Sequence, residues 1–105
     1  MKSVKRNPLL VVGLGLALTI ASCSKPTVDS LYVPTAADAT ATATLADLQA
    51  GRNLYISNCE RCHNFYLPEK YSAAEWKNHL PGMTSKTSLT SAEILQLTKY
   101  ATKGK

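Results

Sequence analysis

The sequence predicts a small all-α protein of three helices, and three observations carry that expectation. Thr44-Leu45-Ala46-Asp47, Ser72-Ala73-Ala74-Glu75 and Thr90-Ser91-Ala92-Glu93 each set a hydroxyl residue three positions before an acid. The first offers Thr44 as an N-cap, and in the other two the N-cap side chain and the third helical residue, a glutamate, each bond the other's backbone N–H. Apolar residues then recur at helical spacing, as Leu48, Gly51, Leu54 and Tyr55 in one segment and Ile94, Leu97 and Tyr100 with Ala101 in another. No segment shows the strict alternation of a half-buried strand.

The chain has 105 residues, room for at most one ordinary domain. It opens with a basic stretch carrying Lys2, Lys5 and Arg6, followed by the uncharged run Leu9 to Ala21. An apolar run of about a dozen residues fits a secretory signal, since a spanning helix needs about 20. Ile20-Ala21-Ser22-Cys23 resembles the bacterial lipobox, in which the cysteine is lipidated and becomes the mature N-terminus. The expectation is a signal over 1–22 and an exported chain, lipid-anchored through Cys23 to a bacterial membrane and facing the periplasm. An ordinary cleaved signal and an uncleaved anchor are the alternatives.

The charge balance excludes one class of partner. The formal net charge is +5, from 12 Lys and Arg against 7 Asp and Glu. Without Lys2, Lys5 and Arg6 the balance falls to 9 against 7, and no basic stripe interleaves with aromatics. Nucleic acid is not an expected partner.

Ser24 to Thr44 has two prolines and alternating alanine and threonine, and reads as a flexible tether; an Ala-rich extension of the next helix is the other reading. Such a tether would span roughly 25 Å on average and about 70 Å at full stretch. The first helix follows Thr44 to about Asn58. Gly51, in its middle, costs about 1 kcal/mol against alanine and so asks for a packing reason. Ser72 opens a second, short helix to about Leu80, stopped by Pro81-Gly82, and Thr90 opens the third, to about Thr102. A globule from Leu45 to Lys105 is small enough to need a staple of some kind.

The staple is sought at Cys59-Glu60-Arg61-Cys62-His63, which gathers two of the three cysteines and one of the two histidines. It fits the C-x-x-C-H pattern of c-type haem attachment. Two thiols three residues apart on one turn reach the two vinyl groups on one porphyrin edge, and the next histidine lies under the ring to ligate the iron. A thioredoxin-type Cys59–Cys62 disulfide would want a βαβ context. A zinc site would need Cys59, Cys62, His63 and distant His79, with spacing foreign to such sites. A structural disulfide is the third alternative.

On these residues Leu45 to Lys105 resembles a small monohaem cytochrome c of the class I type. The resemblance implies one covalent haem c wrapped by about three helices, with Cys59 and Cys62 as thioethers and His63 as proximal iron ligand. It implies that Gly51 lets an aromatic of the last helix, Tyr100, come close, and that the Pro68 carbonyl accepts from the His63 Nδ1–H. It further implies a methionine as the distal ligand. Met83 is the only methionine after Met1, and His79 the only histidine besides His63. Trp76, seven residues before Met83, is similar to the arrangement in abbreviated cytochrome c domains.

Ligation by His63 and Met83 closes the iron to substrate and points to a single-electron carrier that is not an enzyme. Its partners would be a redox protein or a membrane-bound oxidoreductase complex. A five-coordinate haem protein (a peroxidase or gas sensor using His79 as distal group) is the alternative class, and a non-catalytic haem subunit of a larger oxidoreductase complex is another. Lys70, Lys77 and Lys86 would either steer an acidic partner or form a solvated surface.

Overall fold

The computed structural model describes Gly15, residues 25–60 and residues 64–105. The rest of the expected signal, Cys23, and Arg61, Cys62 and His63 of the motif lie outside the described residues. Three helices carry the fold, α1 Leu45–Cys59, α2 Ala73–Thr84 and α3 Ser91–Ala101, with short 3-10 turns at Val28–Ser30, Ala36–Asp38 and Pro68–Lys70. Among the described residues the only strand-like pairing is one isolated bridge between Thr40 and Ala43, so the all-α class stands.

Each helix begins where its capping signature falls. The Thr44 hydroxyl accepts from the Asp47 N–H at 3.1 Å, and the Asp47 carboxylate accepts from the Thr44 N–H at 3.2 Å. Ser72 with Glu75 and Thr90 with Glu93 repeat the exchange. Each box satisfies two of the N–H groups that a helix start leaves without a partner.

The glycine in α1 has a packing reason. α1 packs mainly against α3. A Cβ built on Gly51 would sit 2.1 Å from the Gln96 carbonyl oxygen and 2.8 Å from the Tyr100 Cβ. The α3 backbone lies against Gly51 there, and Tyr100 is the neighbour that the resemblance implied. The core beside this contact joins Tyr55, Phe65, Trp76, Leu80, Leu97, Tyr100 and Ala101. Tyr55 stands edge-on to both Trp76 and Tyr100.

Two expectations need correction. The second helix does not stop at Leu80; α2 runs through Pro81 and Gly82 to Thr84. Proline removes the N–H that would bond the Lys77 carbonyl. Lys77, Pro81 and Gly82 are all exposed, so the defect lies on the solvent side, where water can bond the carbonyl. Trp76, Leu80 and Thr84 keep the opposite side buried, and the Thr84 hydroxyl donates to the Leu80 carbonyl at 3.0 Å. Burial of that stripe carries the helix past its proline.

The second correction concerns the expected tether. Leu31 is 3% exposed and belongs to the core, and Ala43 is 1% exposed. The Tyr32 ring stacks on Tyr100 with centroids 4.5 Å apart. From Val28 onward the segment is therefore part of the folded unit, which begins before Leu45. Its apolar residues are too few and too irregularly spaced to announce an element, yet Leu31, Pro34 and Ala43 are buried while Val33 stays exposed.

Candidate functional site

Cys59 is the last residue of α1 and is half-buried. Burial pushes its thiol up to about 12. The thiolate is the nucleophilic form, so this folded arrangement holds the thiol neutral and unreactive. Met83 lies in the last turn of α2, not in a loop beyond a helix break. Four residues after His79 and three after Leu80, it flanks the buried stripe. Cys59 and Met83 both pack against the same apolar core, as do Leu54, Leu67 and Leu89.

His79 differs from Met83. It is exposed, and its ring lies 4.8 Å from that of Tyr71, tilted by 45°. Of the two distal candidates only Met83 borders the core that Cys59 borders. Among the described residues no group of three or more His, Cys, Asp or Glu could hold a metal ion.

The segment downstream of the motif is fixed at three points. Phe65 is buried and stacks beside Tyr55 with centroids 6.1 Å apart. The Tyr55 hydroxyl donates to the Tyr66 carbonyl. The Trp76 indole N–H donates to the Pro68 carbonyl at 2.8 Å in a buried bond. Pro68 thus has a partner that the sequence reading did not foresee. One lone pair of its carbonyl is in use, and a second remains for the expected His63 contact. Burial, with Cys59 and Tyr100 nearby, drives the Tyr55 hydroxyl far above its ordinary range, so it stays a neutral donor.

Tyr55 and Trp76 are the residues that sequence reasoning undervalued. The available signal was chemical: a buried tyrosine or tryptophan must place its O–H or N–H on an acceptor. The nearest acceptors are the carbonyls of the irregular loop between α1 and α2. Lys70, Lys77 and Lys86 are exposed and form no common site with these residues. A cleft of about 160 Å³ near the start of α2, lined by Pro68, Tyr71, Ser72, Thr102 and Lys103 among others, shares only Pro68 with the candidate set. Among the described residues no helix is long and apolar enough to cross a membrane.

No family model, no curated protein and no solved structure matches the chain. The candidate site therefore stands on its own chemistry.

Proposed function

We propose that the chain is a single-electron carrier, in which Cys59 and Cys62 hold a c-type haem, His63 and Met83 ligate its iron, and lipidated Cys23 anchors the chain to a membrane. The CERCH motif is the basis of the reading. The observation that supports it best is that Met83 packs against the core that Cys59 also borders, whereas His79 stays exposed.

The bound group would supply a reversible one-electron couple. The chain's own residues do the rest. Two thiol positions fix the group in one orientation, and His63 provides a nitrogen ligand next to the second of them. The neutral, soft Met83 sulfur would favour the reduced iron and raise the potential. As an iron ligand Met83 would also deny substrate a site, which would leave electron transfer as the protein's chemistry. Phe65, Trp76, Leu80 and Leu97 keep water from the interior. The electron partner would be a redox protein or a membrane-bound oxidoreductase complex.

Carbon monoxide binding to the reduced protein tests the assignment in three chains matured with a cytochrome c assembly system. The native chain and His79→Ala should retain colour after denaturation and should not bind the gas, whereas Met83→Ala should bind it and lose potential. A colourless native product where maturation demonstrably works would overturn the haem assignment. Ready gas binding by the native chain would transfer the reading to a five-coordinate haem protein.

A further inference from the structure

The segment that follows the proposed anchor is bound to the helices at Val28–Tyr32 and to the C-terminal turn at Thr40 and Ala43. The Tyr32 hydroxyl donates to the Tyr100 carbonyl at 2.7 Å, and the Tyr100 hydroxyl donates to the Tyr32 carbonyl at 2.9 Å. Arg52 of α1 donates through Nε to the Tyr32 carbonyl at 3.1 Å and through Nη2 to the Val28 carbonyl at 3.4 Å. The Lys103 ammonium lies 5.0 Å from the centre of the Tyr32 ring. Leu31 is seated in the core and Ala43 is buried against the turn at Gly104. A leash free to swing would have to give up all of these contacts.

Only residues 24–27 separate Cys23 from Val28, where the bound segment begins. Even fully extended, that link reaches at most about 17 Å. A domain of this size is about 30 Å across. All of it then lies within about 50 Å of the lipid headgroups, where a leash from Ser24 to Thr44 would allow about 100 Å.

We propose that residues 28–43 are a structural strap, which holds the domain on the bilayer surface with the face around Val28, Val33 and Arg52 towards the lipid. Electron exchange is then confined to partners whose docking site lies at that surface. The proposal rests on the lipidation of Cys23 proposed above. Val33 is an exposed large apolar residue of the strap, at 66%. Arg52 is committed to two carbonyls, and Lys103 pairs with Glu69 at 2.6 Å. The covalent link sets the contact, while Arg52, still charged beside neutral carbonyls, and exposed Lys25 add an attraction to anionic lipid that salt screens.

The test uses the full, haem-loaded, lipidated chain in phosphatidylethanolamine–phosphatidylglycerol vesicles doped with a nickel-chelating lipid. A nitroxide is placed on Val33→Cys, the other cysteines being occupied, and the iron is kept reduced. A second chain carries twenty Gly and Ser residues inserted after Lys25. Relaxation of the nitroxide by nickel should fall about tenfold on insertion, because local concentration falls as about the −3/2 power of link length. Equal relaxation in the two chains overturns the proposal. Hydrogen exchange on the same sample separates the two layers of the reading. Slow exchange at Leu31, Thr40 and Ala43 is expected, and random-coil rates there overturn the strap even when the lipid is present. An N-terminal peptide without lipid on Cys23 overturns the anchoring, and with it the membrane-facing part.

Discussion

Replacing Gly51 with alanine sets two well-calibrated effects against each other. In an open helix the change should stabilise by about 1 kcal/mol. Here the new methyl would lie 2.1 Å from the Gln96 carbonyl oxygen and 2.8 Å from the Tyr100 Cβ. An ordinary C···O contact is about 3.3 Å, so α1 and α3 would have to part by roughly an ångström. Backbone cannot move aside as a flexible side-chain tip can, and parting loosens the packing of Tyr55, Leu97 and Tyr100. Overpacking of this severity costs about 3 kcal/mol or more, which leaves a net loss of about 2 kcal/mol. For a domain this small that lowers Tm by about 8–16 °C. Gly82 supplies the matched control, because it is exposed in α2 and a Cβ there would meet nothing within 4 Å. Gly82→Ala should gain up to about 1 kcal/mol. Far-ultraviolet circular dichroism melts of the three haem-loaded chains decide the matter. If Gly51→Ala melts at or above the native temperature, the close α1–α3 contact is wrong.

Four other outcomes follow from the same structure. In an unattached chain carrying Cys23→Ala and Cys62→Ser, alkylation of Cys59 at neutral pH should run about a thousandfold slower than for a free thiol, since burial moves it from 9.0 to about 12; denaturation should restore the ordinary rate. The Lys99 ammonium and the Thr44 N–H hold the Asp47 carboxyl below its ordinary 3.8, so its stabilisation is complete above 3.8 and is lost as pH falls through the lower folded value. Asp47→Asn should therefore be less stable than the native chain at pH 7 and should show a flatter acid limb in melts taken across that range. Tyr32→Phe and Tyr100→Phe should each cost about 1 kcal/mol in urea titrations, because each removes a hydroxyl that donates to the other residue's backbone carbonyl while leaving the ring stack in place. Thr90→Ala should cost about 1 kcal/mol by removing the hydroxyl that accepts from the Glu93 N–H at 3.2 Å.

What the sequence made legible was what local chemistry decides. The three helix starts depend on a side chain and a backbone N–H three residues apart, and all three N-caps form as read. Gly51 was legible because a glycine in mid-helix is costly enough to require a reason. The end of α2 was misread because Pro81 was weighed as a local breaker, whereas burial of Trp76, Leu80 and Thr84 on the far side outweighs a defect that faces water. The strap was misread for the opposite cause. Leu31, Tyr32 and Pro34 follow no period, and an irregular segment gains its order only from the surfaces it meets. Those surfaces, on α1 and α3, are distant in sequence, and no pattern within Ser24 to Thr44 encodes them. The candidate site divides along the same line. The motif can be read from spacing alone, but the separation of Met83 from His79 needed the folded helix.

The helical placement of Met83 changes what governs the distal side in the proposed reading. A methionine on a loop could adjust to its surroundings residue by residue. On α2 it is set by the helix as a whole, and α2 is held by Trp76, whose indole bonds the Pro68 carbonyl at 2.8 Å. Pro68 closes the loop that leads away from His63. One buried hydrogen bond therefore links the segment after the proposed proximal ligand to the helix bearing the proposed distal one. Tyr55, which bonds the Tyr66 carbonyl from α1, braces the same loop from the helix that ends in Cys59. The three segments that would carry the haem's attachments are tied to one another by protein contacts, independently of whatever the haem itself contributes.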